Sequence, residues 1–459
     1  MAEKTVTLTD TITALMEQKK YSSARDVLVT MNASDIAAMF DDMDQTLLPR
    51  LFRLLPKDTA AETFIEMDPD SQELLIHGFS DSELKEVVDE LYVDDAVDLV
   101  EEMPANVVKR ILKQADSETR KMINEILKYP EDSAGSIMTT EFVDLQPTLT
   151  AADAIKHIRR TGVDSETINT CYVTDHSRHL IGILSIRTII LAEDDDVIAD
   201  IMEENVISVG TQDDQEDVAS MFTKYNFTAL PVVDAEGRLV GIVTVDDAME
   251  VMEEEATEDI EIMGGVTPID KPYLKTGVMQ FWKARIPWLM LMMISATFTG
   301  IILNHFEDAL STVAALTLFI PMLMGTGGNS GSQCSVTVIR ALSLGDLEFS
   351  DIWAVMWKEL RTGFLCGLSL AIVSFGKVML VDHLLLGNDG VTTAVALVVS
   401  LTLIIIVIAA KLVGCVLPML AAKLGLDPAV LASPFSSTIV DALALLAYFA
   451  VAQQIIPGL

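Results

Sequence analysis

The hydrophobic and polar positions divide the chain into two unlike parts that meet near residue 281. Before this point, apolar side chains recur at helical spacing in short units or alternate as they do in strands. After it, long apolar runs follow at about residues 286–303, 309–342, 363–386, 391–417 and 429–456. Each run is long enough to cross a bilayer whose hydrocarbon core is about 30 Å thick. The pattern therefore predicts a multidomain chain that ends in a polytopic α-helical membrane domain at 281–459, with five transmembrane helices.

Residues 1–130 are predicted to form an all-α domain of short repeated helices. Asp, Ser or Asn stands near the start of each unit, where its side chain can accept hydrogen bonds from the free N–H groups of a helix. Leu, Ile and Val recur at helical spacing between these positions. Short helices repeated at a nearly constant period are typical of a superhelix.

A second internal repeat predicts two α/β domains at 131–199 and 200–255. The stretch from Tyr172 to Ser185 aligns with the stretch from Pro231 to Thr244. Each copy reads as strand, turn and strand. The repeat resembles a tandem pair of cystathionine-β-synthase (CBS) domains.

The CBS resemblance also implies a nucleotide site. In that family a Thr or Ser followed three residues later by Asp holds a ribose, and Thr244 and Asp247 fit this pattern. In the first copy, Thr188 takes the place of the acid. We therefore expect at most one adenine nucleotide per chain, with ATP as the candidate cofactor.

The sequence pattern over residues 250–280 predicts a helix that connects the CBS pair to the first membrane span. Acidic side chains dominate this stretch, and interspersed Met and Ile give it an apolar face. The helix should end at Gly264 and Gly265, because glycine is common just after a helix C-terminus. A solvated linker is the alternative interpretation.

The second apolar run contains Pro321 and glycines at 325, 327, 328 and 331. Proline removes a helical hydrogen bond and glycine disfavours the helix, so we predict a broken helix here. Backbone groups freed at membrane depth line ion and substrate paths. Close packing of helices through small residues, with a glycine kink, is the alternative interpretation.

Asp441 lies midway along the last apolar run. A carboxylate at this depth costs about 2.5–3.5 kcal/mol on insertion scales, so it should face protein or a water-filled interior. We predict that it binds a cation in a pore. A buried acid that serves only packing is the alternative.

The charge is as unevenly distributed as the hydrophobicity. The chain carries a net charge of −37, yet residues 271–459 hold ten basic and ten acidic residues, so the whole excess belongs to residues 1–270. Such a surface excludes nucleic acid and anionic lipid as partners and suits divalent cations. Lys and Arg flank the apolar runs in a pattern that predicts a cytoplasmic N-terminus and a C-terminus outside. The first residues lack a basic segment followed by an apolar one, so we expect no cleavable signal peptide. No HExxH, GxSxG or Walker motif indicates an enzyme.

Taken together, these features resemble the MgtE family of magnesium channels along nearly the whole chain. The membrane motifs that carry the resemblance are Pro321, Gly327-Gly328-Asn329, Gln333, Arg340 and the stretch from Ser437 to Asp441. The resemblance implies a homodimer in the lipid bilayer of a prokaryotic plasma membrane, with a pore between the second and fifth spans. It assigns Asp441, Asn329 and Gly328 to the pore. It also implies that the helix at 250–280 is a plug, held against the pore when intracellular Mg²⁺ is bound.

The predicted function is a Mg²⁺-selective channel that imports Mg²⁺ and is closed by intracellular Mg²⁺. Carboxylate oxygens are the ligands that Mg²⁺ prefers. The predicted sensor ligands are Asp94, Asp95, Asp98, Asp214, Glu216, Asp246, Asp247, Glu250, Glu258 and Asp259. A CBS-regulated secondary transporter or exchanger of divalent cations remains the alternative.

Two departures from the family pattern bear on this function. Relatives often carry an acid where this chain has Gly325, and many carry a glycine where it has Ala444. The first departure leaves Asp441 as the main acid of the pore, and the second predicts a straighter fifth span.

Overall fold

The computed structural model describes residues 8–41, 43–163, 165–269, 271, 273–430 and 434–456. The chain separates into two compact units, Met1–Met252 and Glu253–Leu459, here named the head unit and the membrane unit. The boundary falls within one helix, Val245–Met263.

The head unit begins with a helical repeat, as predicted. Asp68, Ser80 and Asp116 accept hydrogen bonds from backbone N–H groups at the start of their helices, which have no partner within the helix. Alternate helices pack in series: α3 contacts α5, α5 contacts α7, and α7 contacts α9. The helices of this part are α1 Leu8–Glu17, α2 Tyr21–Leu28, α3 Ala33–Asp41, α4 Leu48–Phe52, α5 Lys57–Ile65, α6 Pro69–Gly78, α7 Asp81–Val88, α8 Val93–Glu102, α9 Ala105–Gln114 and α10 Ser117–Ile126.

The second part of the head unit contains two small sheets of the same topology, which confirms the predicted α/β repeat. In each sheet the first strand is parallel to the second, and the second is antiparallel to the third. The first sheet is β1 Phe142–Leu145, β2 Thr167–Thr174 and β3 Leu180–Ser185, and the second is β4 Val209–Gly210, β5 Ala229–Val233 and β6 Leu239–Thr244. The helices between them are α11 Ala151–Thr161, α12 Ile186–Leu191, α13 Ile198–Ile201 and α14 Gln215–Tyr225.

The two copies exchange short extended segments. Thr139, which precedes the first sheet, pairs with Ile242 in β6 of the second sheet. Glu203, which precedes the second sheet, pairs with Ile183 in β3 of the first. Each copy therefore contributes a β-bridge to the sheet of the other, and the two copies pack against each other.

The membrane unit is helical. Its elements, with the helix that enters it from the head unit, are α15 Val245–Met263, α16 Val278–His305, α17 Glu307–Thr312, a 3-10 helix Ala314–Phe319, α18 Ile320–Ser343, a 3-10 helix Phe349–Asp351, α19 Ile352–Lys377, a π-helix Val378–Leu385, α20 Thr393–Lys423 and α21 Pro434–Ile455. The helix α20 packs against α18, α19 and α21 and is the most buried of them.

Four helical spans in the described part of the chain are long and apolar enough to cross a membrane: Val278–His305, Phe349–Leu385, Thr393–Lys423 and Phe435–Ile455. The predicted number of five is therefore not confirmed. The helix α18 has 24 residues. It is long enough to span, but its Gly, Ser, Thr, Asn and Gln side chains lower its hydropathy.

The prediction of a helix broken at the glycines was wrong. The helix α18 runs without interruption through all of them, and the irregular segment is the 3-10 helix that precedes it. Pro321 stands at the first helical turn, where the missing N–H group costs nothing. A Cβ atom on Gly327 would lie 2.7 Å from Ile406 Cγ2, and Gly331 faces the carbonyl of Ala410. Gly327 and Gly331 thus allow α20 and α21 to approach α18 closely, as in the alternative interpretation, and this packing offsets their low helix propensity.

Candidate functional site

Buried acids on α8 form the first part of the candidate site. Asp94 and Asp95 lie in the first turn of the helix and Asp98 in the next. Asp94 is only 6% exposed, whereas Asp98 reaches solvent. Acids of α15 lie close enough that the charges of Asp247 and Glu250 act on this group. The fold thus brings six of the predicted sensor residues into one cluster, here named the α8 acid cluster: Asp94, Asp95, Asp98, Asp246, Asp247 and Glu250.

Burial and mutual repulsion disfavour the charged forms of these groups. Burial, and then the charge of Asp247, raise the pKa of Asp95 to about 7 and that of Asp98 to about 8. The same two causes raise the pKa of Asp94 well above its ordinary value. Protein surrounds the carboxyl of Asp98 although its outer side is exposed, so solvent screening weakens the repulsion there. Near neutral pH burial and repulsion therefore disfavour the fully charged cluster, and a bound cation would favour the charged carboxylates over the protonated ones.

Thr244 and Asp247, the two residues predicted to hold a nucleotide, are hydrogen-bonded to each other. The hydroxyl of Thr244 donates to Asp247 Oδ2 at 2.5 Å, and its backbone N–H donates to the same oxygen at 3.4 Å. Burial raises the pKa of Asp247 to about 6 against the opposing effect of this hydroxyl. In the first copy the hydroxyls of Ser185 and Thr188 lie 2.9 Å apart and no acid is present at that position.

Two further acids belong to the neighbourhood of the cluster and were missed by the sequence interpretation. Burial, followed by the charges of Asp95 and Asp246, raises the pKa of Glu166 to about 8. The carboxylate of Glu141 accepts a hydrogen bond from the backbone N–H of Val93 at 3.1 Å, at the start of α8. Both flank strands of the first sheet, far from α8 in sequence. No periodic pattern could have indicated them.

The structure places Asp214 and Glu216 elsewhere in the head unit. Asp214 caps the N-terminus of α14 by accepting a hydrogen bond from the backbone N–H of Glu216 at 2.9 Å. Its charge acts on Asp217, whose pKa is raised first by burial and then by Asp214. The charges that act most strongly on α8 come instead from α8 itself, α15 and Glu166.

Within the described residues, no three or more His, Cys, Asp or Glu side chains converge tightly enough to hold a metal ion. Mg²⁺ keeps several water ligands and binds through one or two carboxylates.

Within the membrane unit, the connecting helix contacts the end of α18. Asp259 Oδ2 accepts a hydrogen bond from the hydroxyl of Ser343 at 3.3 Å. Burial and then the charge of Asp427 raise the pKa of Asp259, against the opposing effects of Ser343 and Arg340. Glu258 is exposed on the same helix.

The predicted pore residues lie on α18 and α21. Asp441 is half-buried on α21 and, within the described residues, its carboxylate makes no hydrogen bond or ion pair. Asn329 is exposed on α18, and a Cβ atom on Gly328 would touch nothing within 4 Å. Gly328 and Asn329 belong to a largely polar face of α18 that the unit leaves open, here named the open face: Gly325, Gly328, Asn329, Ser332, Gln333, Val336 and Thr337.

The polarity of the open face distinguishes it from a surface that meets lipid. Lipid-facing helix surfaces are apolar because polar groups in hydrocarbon lose their hydrogen bonds to water. Asn, Gln, Ser and Thr side chains at membrane depth therefore face protein or water. The chemistry of the face suits a path for a hydrated ion.

Known protein families match the chain in the order of its domains. Residues 31–132 match the MgtE intracellular N domain, and residues 134–195 and 198–254 match CBS domains. Residues 320–451 match the MgtE divalent cation transporter family. Fold and site therefore define a divalent cation transporter embedded in the membrane and equipped with a CBS pair, and not an enzyme.

Full-length relatives give the family of the whole chain. The chain is 38% identical over 436 residues to the magnesium transporter MgtE of Thermus thermophilus, which covers 94% of this chain and 95% of that protein. It is 32% identical over 456 residues to the magnesium transporter MgtE of Bacillus subtilis, covering 98% and 97%. The chain belongs to the MgtE family.

A solved structure supports the fold of the head unit. The cytosolic domain of the Mg²⁺ channel MgtE in complex with ATP superposes with a TM-score of 0.51 at 35% identity. The match covers 53% of this chain and 100% of that one.

Proposed function

We propose that the chain is a Mg²⁺ channel that imports Mg²⁺ across the plasma membrane and that intracellular Mg²⁺ closes. The observation that carries this proposal is the open face of α18 together with Asp441, a carboxylate without a protein partner in the described residues. Magnesium transport by two full-length relatives supports Mg²⁺ as the ion.

The open face also supports a homodimer. A polar helix face cannot remain against lipid, and a second copy of the chain would enclose it around an aqueous path. Two copies of Asp441, one from each subunit, would then attract a hydrated divalent ion without stripping its water. An ion held this weakly can leave again, which conduction requires.

The α8 acid cluster supports closure by Mg²⁺. Its charges repel one another, so the compact arrangement of α8 and α15 is favoured when cations neutralise them. Asp259 of α15 contacts Ser343 at the end of α18, which gives the connecting helix a direct connection to the pore helix. An adenine nucleotide, such as ATP, is assigned to Thr244 and Asp247 of the second CBS copy.

Flux of Mg²⁺ into proteoliposomes tests this function. Asp441→Ala should abolish flux, because it removes the charge that attracts the ion, and Asp441→Asn should retain partial flux with weaker preference for divalent over monovalent cations. The matched control is Asp389→Asn, which changes an exposed acid of the loop before α20 and should behave as wild type. Wild-type flux in Asp441→Ala would overturn the assignment. Flux that requires an opposing Na⁺ or H⁺ gradient would define a secondary transporter instead.

A further inference from the structure

A buried ion pair connects two helices behind the pore helix. The ammonium group of Lys411 on α20 lies 3.5 Å from Glu359 Oε2 on α19, and their side chains are only 8% and 17% exposed. Among the residues that the structure describes, Lys411 is the only lysine or arginine in the buried set. A charge within a membrane span is costly, and it is commonly placed where it affects an ion path.

The backbone of Lys411 lies against α18, and its side chain runs along α19 to Glu359, whose carboxylate also interacts with Cys334 of α18. Cys334 of α18 donates a hydrogen bond from its thiol to the carbonyl of Lys411 at 3.3 Å. The stem of the lysine passes Gly363 of α19, where an added Cβ atom would lie 3.4 Å from Lys411 Cδ. Glu359 is one helical turn from Gly363 and meets the end of the stem.

The pair lies at the depth of the proposed pore acid. A Cβ atom on Gly331 would lie 3.3 Å from the carbonyl of Ala410 and 3.5 Å from Val440 Cγ2. Ala410 precedes Lys411, and Val440 precedes Asp441. Gly331 therefore places the lysine and the pore acid in the same layer of the membrane unit.

From this geometry we propose that Glu359 is a positioning residue that holds and neutralises the positive charge of Lys411 in the layer of the cation path along α18. Glu359 draws the ammonium group toward α19 and neutralises it. Without this acid, an uncompensated positive charge remains in the layer of Asp441 and repels an approaching divalent cation. The inference rests on the proposed function, since it requires a cation path beside α18.

An electrostatic role and a merely structural role give different patterns in a double-mutant cycle. If the pair only fastens α19 to α20, removal of either partner should reduce flux, and removal of both should not help. If the pair controls charge, removal of the acid alone should be harmful, because it leaves the positive charge. Removal of the lysine alone should leave flux at or above the wild-type rate, and removal of both should restore it.

The experiment measures initial rates of Mg²⁺ uptake into proteoliposomes that contain the full chain. Glu359→Gln should lower the rate on the order of tenfold, the effect of one charge acting across a helix on a divalent ion. Lys411→Met should show no loss, and Glu359→Gln/Lys411→Met should recover at least half of the wild-type rate. The matched control, Lys358→Met, removes an exposed charge next to Glu359 and should not change uptake.

Each outcome decides the inference. Equal losses in both single variants, or no recovery in the double variant, would show a structural clamp and overturn it, as would a normal rate in Glu359→Gln. If Glu359→Gln fails to fold in detergent, Lys411→Met still decides, because a clear loss of rate in that variant contradicts the proposal. Absence of uptake by the wild-type chain would instead refute the proposed function.

Discussion

The α8 acid cluster of the head unit and the helix layer around α20 in the membrane unit handle buried charge in opposite ways. Around α8, charges of one sign are crowded together, and burial raises the pKa of Asp95 to about 7 and that of Asp98 to about 8. Around α20, the buried charge of Lys411 is matched by Glu359. In the α8 acid cluster, the carboxylates repel one another, and a bound cation can relieve this repulsion. In the layer around α20, Glu359 neutralises Lys411, so little net charge remains there. The proposed channel needs both, since a sensor must respond to the ion and a path must not retain it.

The largest effect is expected from removing charge in the α8 acid cluster. Asp95→Asn/Asp98→Asn should slow hydrogen exchange of the α8 amides in the absence of Mg²⁺, because less repulsion opposes the compact state. We expect slowing on the order of tenfold, or about 1.4 kcal/mol, after allowance for screening at Asp98. Exchange measured by mass spectrometry on the full chain reports this local stability.

The same double variant should respond less to Mg²⁺ than the wild type, since fewer charges remain for the ion to neutralise. Glu62→Gln, an exposed acid of α5, is the control and should keep the full Mg²⁺ response. Faster exchange in the double variant without Mg²⁺ would contradict the account of stored repulsion.

A smaller effect is expected from pH. Folded-state pKa values of Asp95 and Glu166 are raised to about 7 and about 8. A raised pKa means that the folded state binds protons more tightly than the unfolded state, so stability is fully present at low pH and is lost as pH rises through these values. Lowering the pH from about 8 to about 5 without Mg²⁺ should therefore slow exchange of the α8 amides, after correction for the intrinsic effect of pH.

Mg²⁺ provides the control for the pH experiment. At saturating Mg²⁺ the carboxylates are already neutralised, so the pH dependence over the same range should become flatter. A head unit that loses protection as the pH falls toward 5 would show that the cluster doesn't determine its local stability.

The smallest effect is expected at the connecting helix. In the wild type, resistance of residues 250–275 to protease should increase with Mg²⁺, because the helix becomes fixed when the sensor closes. Glu258→Ala/Asp259→Ala should flatten this response by roughly two- to threefold, because it removes acidic ligands and the Asp259–Ser343 hydrogen bond. Glu253→Ala, an exposed acid of the same helix, is the control. An unchanged midpoint and amplitude in the double variant would remove both residues from the sensor.

Local patterns in the sequence were sufficient for the order and type of the domains. The helical repeat is carried by caps such as Ser80, and the CBS pair by two aligned strand–turn–strand segments, so each depends on residues close in sequence. Asp94, Asp95 and Asp98 could be grouped from the sequence because they share one helix, and their role as sensor ligands stays a prediction.

The remaining features depend on contacts between distant segments. Glu166 lies near the α8 acid cluster only because the first sheet packs close to α8 in the folded chain. The glycines of α18 were interpreted as a helix break from their propensity alone, whereas packing of Gly327 against Ile406 retains the helix. Propensity is a weak guide where tertiary packing decides.

The exchange of Thr139 and Glu203 between the two sheets has a consequence for how the head unit comes apart. A cut or a large disturbance in one CBS copy removes a β-bridge from the sheet of the other, so melting of one copy destabilises its neighbour. Two copies that share edges in this way behave as one cooperative foldon. A ligand that binds either copy therefore stabilises both, because the shared bridges couple the stability of one copy to that of the other.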